Sequence, residues 1–337
     1  MKTIQEFVSL ESLNTFGIAA KARYFVTITN ESELRETLNV IPAADSIMVL
    51  GGGSNLLLTQ DFPGWVLKNE FSGVEIEAED EESVTVRVGS GMSWHEWVMY
   101  CLEKGWFGLE NLSLIPGSVG AAPMQNIGAY GVEIKDIFVD AEGVFLRTGE
   151  KKRFYQSECE FGYRESIFKR SIKEFFIINV CFRLSKKPNL HTTYGDIEKE
   201  LAKLPFRDYR PQDVSNAVIQ IRQSKLPNPA EIGNAGSFFK NPTVSKSFFE
   251  SLFVRFSEMP HYPLADGNVK IPAAWLIQQC GWKGKRFGNY GVHEKQALVL
   301  VNYGGAKGKE IYELSEKIIF SVYDFFGIRL EREVNIV

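Results

Sequence analysis

The chain has 337 residues, of which 44% are hydrophobic and 24% are charged. It carries 38 Lys and Arg against 42 Asp and Glu, so its formal net charge at pH 7 is −4. A chain of this length can form two or three domains with a substantial core, so its folding requires no disulfide or metal framework. The mildly acidic balance argues against nucleic acid or an anionic membrane as a partner, because both are bound through clustered Lys and Arg.

The cysteines and the apolar segments indicate a cytoplasmic protein. Cys101, Cys159, Cys181 and Cys280 are far apart and include no C-x-x-C motif, so we expect reduced, buried thiols. The N-terminal residues lack the basic and apolar regions of a signal peptide, and no run of about 18 apolar residues occurs. We therefore expect a cytoplasmic location, no membrane partner and no bound metal.

The first elements follow an α/β pattern. Residues 24–29 predict a strand, and Asn30 predicts a helix cap because Glu33 stands at the third helical position. A second apolar strand, 46–50, leads directly into three glycines. The alternation over 74–90, on both sides of an acidic turn, predicts an antiparallel hairpin.

The later elements are a helix, a β-rich stretch and then mainly helices. Residues 93–105 predict a helix with Gly105 just past its last turn. Strand patterns dominate from 136 to 185. Pro211 suits a first helical position, and helical patterns follow over 211–225, 245–259, 272–282 and 307–327. The chain closes on a strand pattern over 328–337.

These elements predict a mixed α+β protein with boundaries near residues 70 and 210. The expected segments are 1–70, 71–210 and 211–327, and the terminal strand is expected to return towards the active site. No repeat of fixed period and no low-complexity linker interrupts the chain.

Two glycine-rich segments stand out as candidate binding sites. Gly51, Gly52 and Gly53 follow a predicted strand, where converging backbone N–H groups could hold a pyrophosphate. The spacing is not the G-x-G-x-x-G fingerprint, and a glycine triplet taken alone is more often a tight turn. Residues 114–131 form a long, almost uncharged stretch with four glycines, and such loops are usually functional. A long glycine-bearing loop beside the triplet suits a large dinucleotide lying across both.

Six motifs, in order along nearly the whole chain, resemble those of the UDP-N-acetylenolpyruvoylglucosamine reductase family. They are L-N-T-F at 13–16, V-L-G-G-G-S-N-L-L at 49–57, I-P-G-S-V-G-A-A-P-M-Q-N-I-G-A-Y-G-V-E at 115–133, F-G-Y-R-E-S at 161–166, K-L-P-N-P with G-N-A-G-S-F-F-K-N-P at 225–242, and L-E-R-E-V at 330–334. The resemblance implies a flavoenzyme of bacterial peptidoglycan precursor synthesis. It also implies non-covalent FAD between two α+β subdomains of the vanillyl-alcohol-oxidase class of fold, with a C-terminal α/β substrate domain.

The resemblance also implies the reaction and its residues. In this family NADPH reduces the enolpyruvyl ether of a UDP-sugar to a lactyl ether through FAD. The implied catalytic residues are Arg164, Ser237 and Glu333. The implied flavin residues are Gly51, Gly52, Gly53, Ser54, Asn55, Ile115, Pro116, Gly117, Ser118, Gly120, Gln125, Asn126, Gly128 and Tyr130. The implied substrate residues are Tyr163, Tyr194, Arg222, Lys225, Asn241 and Gln296.

The residues themselves leave alternatives open. Arg164 could form a surface salt bridge with Glu165 or Glu160, since Arg is usually exposed, and a serine in a glycine-rich turn is often only a cap. Glu331 and Glu333 share one face of a strand, so periodicity does not choose between them. The family motif favours Glu333, which stands directly before the valine.

Two further observations bear on the resemblance. Asn335 replaces the basic residue usual after the Glu-Val motif, and we expect a modest effect on activity. None of the four histidines lies in the glycine-rich segments, which agrees with non-covalent FAD.

The alternatives to a reductase are a flavin-dependent sugar or alcohol oxidase of the same fold class and a catalytically silent binding protein. We expect a monomer.

Overall fold

The structure is a computed structural model and describes residues 3–172, 174–205 and 208–337. Its strands are β1 (Gln5–Ser9), β2 (Lys21–Ile28), β3 (Ile47–Leu50), β4 (Leu56–Leu57), β5 (Phe62–Asn69), β6 (Val74–Glu79), β7 (Ser83–Gly89), β8 (Gly128–Ala129), β9 (Val132–Glu133), β10 (Phe138–Phe145), β11 (Lys151–Tyr155), β12 (Phe175–Ser185), β13 (Thr243–Val244), β14 (Tyr262–Pro263), β15 (Val269–Lys270), β16 (Arg286–Phe287), β17 (Tyr290–Val292), β18 (Leu300–Asn302) and β19 (Asn335–Ile336). Its helices are α1 (Glu31–Val40), α2 (Trp94–Lys104), α3 (Ile167–Arg170), α4 (Ile197–Leu201), α5 (Pro211–Lys225), α6 (Lys246–Phe253), α7 (Ala273–Gln279) and α8 (Gly308–Phe326). Within the described ranges, no helix has the length and apolar character needed to span a bilayer.

Local signals set most helix ends as predicted. The Asn30 side chain accepts a hydrogen bond from the Glu33 backbone N–H at 3.0 Å and so caps α1. Gly105 ends α2 with a left-handed φ of 73°, and α5 begins at Pro211. Two predicted helices are shorter than expected: α6 ends at Phe253, and α7 ends at Gln279, two residues before Gly281, which has a φ of 71°.

The strand predicted over 328–337 is wrong for most of its length. Only β19 pairs regularly, in parallel with β4, and Arg332 forms an isolated bridge with Phe239. Around the two glutamates the pairing is limited to this one bridge, flanked by hydrogen bonds from the Lys240 N–H to the Glu331 carbonyl and from the Glu333 N–H to the Phe238 carbonyl, both at 2.9 Å. The Glu331 side chain is 76% exposed, whereas Glu333 is partly buried.

The described chain divides into two compact units, of which the first comprises Met1–Val8, Ala22–Gly53 and Pro63–Ser224. It contains a four-stranded sheet in the order β1-β2-β5-β3 and an antiparallel five-stranded sheet in the order β11-β10-β12-β7-β6. Apolar side chains of both sheets share a core that includes Val26, Trp65, Val144 and Phe176. The predicted hairpin is confirmed as β6 and β7.

The second unit comprises Ser9–Lys21, Ser54–Phe62 and Lys225–Val337. It holds two three-stranded sheets, β13-β15-β14 and β16-β17-β18, and the parallel pair of β4 and β19. Helix α8 buries an apolar stripe that includes Ile311, Ile318 and Val322. This grouping places α5, up to Ser224, with the first unit. The functional division into two flavin subdomains and a substrate domain stays a prediction.

The cysteines are free, as expected. Cys101, Cys159 and Cys181 are buried in the first unit, and Cys280 is partly exposed in the second. Burial raises the pKa of the Cys159 and Cys181 thiols to about 12, so both stay protonated and unreactive at neutral pH.

Candidate active site

The glycine triplet, Gly51 to Gly53, lies at the carboxyl edge of two parallel strands. Strands β3 and β5 run in parallel, with Leu50 opposite Lys68, so the triplet begins where β3 ends. The Lys68 ammonium donates a hydrogen bond to the Gly51 carbonyl oxygen at 2.8 Å. Gly53 has a φ of 61°, a conformation that favours glycine. The carboxyl edge of parallel strands is where open α/β sheets usually bind ligands.

The glycine loop, residues 114–131, packs directly against the triplet in the first unit. A Cβ atom on Gly52 would lie 2.8 Å from the Gly117 Cα, and one on Gly51 would lie 2.5 Å from the Ser118 Oγ. The loop is fixed from below by the Gly120 N–H, which donates to the Ser90 carbonyl at 2.8 Å. Larger side chains would therefore separate the two segments. Their closely packed main chains, with a lysine ammonium beside them, fit a phosphate-bearing flavin.

The rest of the glycine loop contains two short 3-10 turns and the two-residue strand β8. Single 3-10 turns cover Val119–Ala121 and Pro123–Gln125. The implied flavin residues Ile115, Pro116, Gln125 and Gly128 lie on the same loop.

Asn126 is fully buried and uses its side-chain amide on the protein itself. It donates to the Gly162 carbonyl at 3.0 Å and to the Glu133 carboxylate at 3.0 Å, and it accepts from the Lys135 N–H at 3.1 Å. These contacts connect the glycine loop to the turn that carries Arg164. The side chain is therefore a positioning group, and a flavin contact of Asn126 would come from its main chain.

Arg164 lies in a tight turn closed by paired backbone hydrogen bonds between Gly162 and Glu165, at 3.0 and 3.2 Å. It has a φ of 54°, and left-handed non-glycine residues are typical of functional sites. Its guanidinium donates to the Gly128 carbonyl at 2.6 Å and lies 5.5 Å from the ring of Tyr163. The turn therefore presents the guanidinium to the glycine loop of the same unit.

Arg222, in the last turn of α5, is a partly buried cation without a described counter-ion. Its Nε atom is shielded from solvent and has no hydrogen-bond partner among the described residues. Burial lowers the pKa of Arg222 from its usual value, and the positive charge of Arg164 lowers it further. The interaction with Tyr130 acts in the opposite direction and raises it. His95 belongs to the same cluster, because burial and Arg222 lower its pKa as well. The positive charges of Arg164 and Arg222 suit an anionic ligand.

Two tyrosines border this cluster. Burial raises the pKa of Tyr130, which has a φ of 51°. Tyr194 is 53% exposed, and a Cβ atom on Gly131 would lie 3.5 Å from its Cβ. The buried Asn111 amide donates to the carbonyls of Tyr130 and His191, at 3.0 and 2.8 Å. The loop that carries Tyr194 is thus attached to the glycine loop.

Ser237 lies in a turn of the second unit held by the buried Asn234. The Asn234 side-chain oxygen accepts from the Gly236 N–H at 2.9 Å, and the Asn234 backbone N–H donates to the Thr15 carbonyl at 2.9 Å. Gly236 has a φ of 68°. The L-N-T-F motif therefore supports the serine turn structurally. Ser237 itself is partly exposed.

Glu333 lies on the segment next to Ser237. Its backbone N–H donates to the Phe238 carbonyl at 2.9 Å, and its own carbonyl accepts from the Asn55 side chain at 3.3 Å. Asn335, the residue that departs from the family motif, donates through its side chain to the Asn55 carbonyl at 3.0 Å. Ser237, Glu333 and Asn55 are thus brought together within the second unit.

The other implied substrate residues are more scattered in the second unit. The Asn241 side chain accepts from the Ala273 N–H at 2.9 Å, which caps the start of α7. The Gln296 side chain accepts from the Leu298 N–H at 3.3 Å. Lys225 is exposed at the end of α5.

Sequence patterns alone did not single out Lys68 or His95. Lys68 is the one basic residue of β5, and a charged residue within an apolar strand is the sequence feature that could have indicated it as a binding residue. The His95 Nδ1 atom accepts from the Leu114 N–H at 3.0 Å, where the glycine loop begins. No group of three or more His, Cys, Asp or Glu that could hold a metal occurs in the part of the chain that the structure describes.

Comparison with known proteins agrees with this arrangement. Residues 22–154 match a family model described as FAD binding domain. Residues 228–337 match one described as UDP-N-acetylenolpyruvoylglucosamine reductase, C-terminal domain. Relatives named UDP-N-acetylenolpyruvoylglucosamine reductase occur in Flavobacterium johnsoniae, at 50% identity, and in Amoebophilus asiaticus, at 49%, each over 99% of both chains.

Solved structures support the fold. The UDP-N-acetylenolpyruvylglucosamine reductase of Thermus caldophilus is similar with a TM-score of 0.69 and 24% identity, over 100% of this chain and 99% of its own. The 6-hydroxy-D-nicotine oxidase of Arthrobacter nicotinovorans is similar with a TM-score of 0.50 and 12% identity, over 98% of this chain and 87% of its own. The predicted fold class is therefore confirmed.

The glycine-lined main chain and the flavin-domain match point to the same cofactor, and the full-length relatives share one name. The chain is thus an FAD-dependent oxidoreductase and belongs to the UDP-N-acetylenolpyruvoylglucosamine reductase family.

Proposed function

We propose that this enzyme uses NADPH to reduce UDP-N-acetyl-3-O-(1-carboxyvinyl)glucosamine to UDP-N-acetylmuramate, through non-covalently bound FAD, in the cytoplasm. The observation that carries the proposal is the 50% identity to a relative of that name over 99% of both chains. Both family-model matches, one at each end of the chain, support it.

The chemistry requires charge stabilisation followed by proton delivery. FAD, when bound, supplies a hydride from N5 to C3 of the enol ether. Negative charge then develops on the substrate carboxylate, and fixed donors must stabilise it. A proton must finally reach C2.

We propose that Arg164 binds the substrate carboxylate. A guanidinium can bind a carboxylate through two parallel hydrogen bonds and keeps its charge at all relevant pH values. The Gly128 carbonyl and the closed turn fix its position, which lowers the entropy lost on binding.

Ser237 is the proposed proton donor to C2. A serine hydroxyl is a weak acid, but a carbon with carbanion character is a strong base, so the transfer is favourable. Glu333 is proposed to support the enolate-like species through a shared proton network. The hydrogen bond between the Glu333 and Phe238 main chains supports both roles, because it keeps Glu333 beside the serine turn.

The remaining substrate residues are proposed to bind the UDP-sugar. Arg222 supports the proposal most strongly, because a partly buried cation without a described counter-ion is costly unless an anion binds it. Tyr194 is proposed to cover the substrate, since it is exposed on a loop. Tyr163, Lys225, Asn241 and Gln296 are further proposed contacts.

Anaerobic steady-state kinetics test the proposal. We expect NADPH oxidation only when the enolpyruvyl UDP-sugar is present, with UDP-N-acetylmuramate as the product. Turnover of a sugar or alcohol that strictly requires oxygen would contradict the proposal and favour an oxidase. Purified protein that is colourless and does not take up FAD would favour a silent binding protein.

A further inference from the structure

Lys68 is a cation placed next to the glycine triplet by the register of the sheet. It lies on β5 directly opposite Leu50, the last residue of β3, and its neighbours Leu67 and Asn69 are buried. Its ammonium reaches past the end of β3 and donates to the Gly51 carbonyl at 2.8 Å. Its position is therefore fixed by the strand pairing and by the first glycine.

The charge of Lys68 is not neutralised by the described chain. No carboxylate of the described residues lies within salt-bridge distance of it, and Glu70 acts on it only at longer range. Partial burial lowers the pKa of Lys68 from its usual value. An ammonium has three N–H donors, and the described chain uses one of them. Two donors and a positive charge thus remain available beside the triplet.

A carbonyl hydrogen bond alone would not require a lysine here. A neutral amide could reach Gly51 without the cost of desolvating a charge. A charged group at this edge is favoured when an anion accompanies it. The carboxyl edge of parallel strands is also a common site for the phosphates of nucleotide cofactors.

We propose that Lys68 binds the diphosphate of FAD, with the Gly51 carbonyl holding its ammonium in place. The inference rests on the proposed flavin function and adds a residue that the family motifs did not indicate. The glycine triplet then supplies main-chain N–H groups, and Lys68 supplies the charge.

A purely structural role for Lys68 makes a different prediction. If the lysine only orients Gly51, its loss disturbs the triplet for every flavin alike. If it binds the diphosphate, its loss weakens FAD and leaves riboflavin, which has no phosphate, unchanged. Flavins with and without phosphate therefore separate the two roles.

The experiment measures flavin dissociation constants by fluorescence quenching, with the full chain stripped of flavin and titrated again. We expect Lys68→Gln to weaken FAD binding roughly 10- to 100-fold and to reduce the salt dependence of FAD binding. The dissociation constant for riboflavin should stay within about twofold of the wild-type value. Lys68→Arg should retain FAD binding within roughly threefold, since the charge is kept. The control is Lys104→Gln, which alters an exposed lysine at the end of α2 and should match wild type.

Several results would overturn the proposal. Equal losses for FAD and riboflavin would leave only the structural role, and an unchanged FAD affinity would remove Lys68 from the site. If Lys68→Gln does not fold, the wild-type salt series decides: FAD and riboflavin affinities that respond equally to salt would contradict a diphosphate contact. Wild-type protein that binds no flavin would overturn the proposed function itself, whereas a wild type that binds FAD confines any failure to Lys68.

Discussion

Replacing Arg222 with methionine should weaken substrate binding without lowering the free energy of unfolding. Arg222 has no described ion pair, and Arg164 repels it. Arg87 provides a matched contrast in the same unit, because it is also poorly exposed but donates to Asp140 at 2.8 Å and to Asn179 at 2.7 Å. The same substitution at the two positions should therefore have opposite effects on the free energy of unfolding.

The expected magnitudes follow from the two environments. Arg87→Met leaves the buried Asp140 carboxylate with only the Arg153 Nε, 3.9 Å away, which should cost about 3–5 kcal/mol. Arg222→Met removes an uncompensated charge and should change stability by about 0 to 1 kcal/mol in the favourable direction. For a unit of roughly 200 residues, 1 kcal/mol shifts Tm by about 2–4 °C. Arg87→Met should thus lower Tm by roughly 6–20 °C, and Arg222→Met should leave Tm unchanged or raise it by a few degrees.

Thermal unfolding without substrate, followed by steady-state kinetics, measures both effects. We expect Arg222→Met to raise the KM for the enolpyruvyl UDP-sugar by about 30-fold or more, which corresponds to the loss of a charged contact of about 2 kcal/mol. If Arg222→Met lowered Tm as much as Arg87→Met, Arg222 would have a structural anionic partner, and the reasoning would be refuted.

Three further substitutions test the site. Gly52→Ala places a Cβ 2.8 Å from the Gly117 Cα, so it should lower the free energy of unfolding by about 1–3 kcal/mol and weaken FAD binding. The control is Gly162→Ala, whose added Cβ would have its nearest contact at 3.7 Å and which should keep near wild-type stability. Ser237→Ala should leave flavin reduction by NADPH nearly intact in stopped-flow traces and slow flavin reoxidation by substrate by several orders of magnitude. Equal impairment of both halves would contradict its role. Glu333→Ala should reduce kcat far more than Glu331→Ala, and equal losses would contradict the assignment of the role to Glu333.

Local sequence signals predicted the regular elements well where capping or periodicity acts within a few residues. Asn30, Gly105 and Pro211 marked helix ends that the structure confirms. The terminal segment was mispredicted because strand formation depends on a partner distant in sequence. Only Asn335–Ile336 finds such a ladder, alongside β4.

The candidate site was predicted from motifs, but the physical reasons for several residues were not visible in the sequence. The motif included Asn126 among flavin residues, yet its side chain connects two loops of the protein. Lys68 and His95 reach the glycine segments through strand register and helix packing. Glu331 is exposed and Glu333 is partly buried, a difference that periodicity could not indicate because it places both on one strand face.

The most direct test of the central claim is an anaerobic titration followed by the flavin absorption spectrum of the purified protein. NADPH should bleach the visible absorption band of the oxidised flavin, and the enolpyruvyl UDP-sugar should then restore it stoichiometrically without oxygen. A reduced flavin that stays bleached with this substrate and recovers only in air would contradict the account.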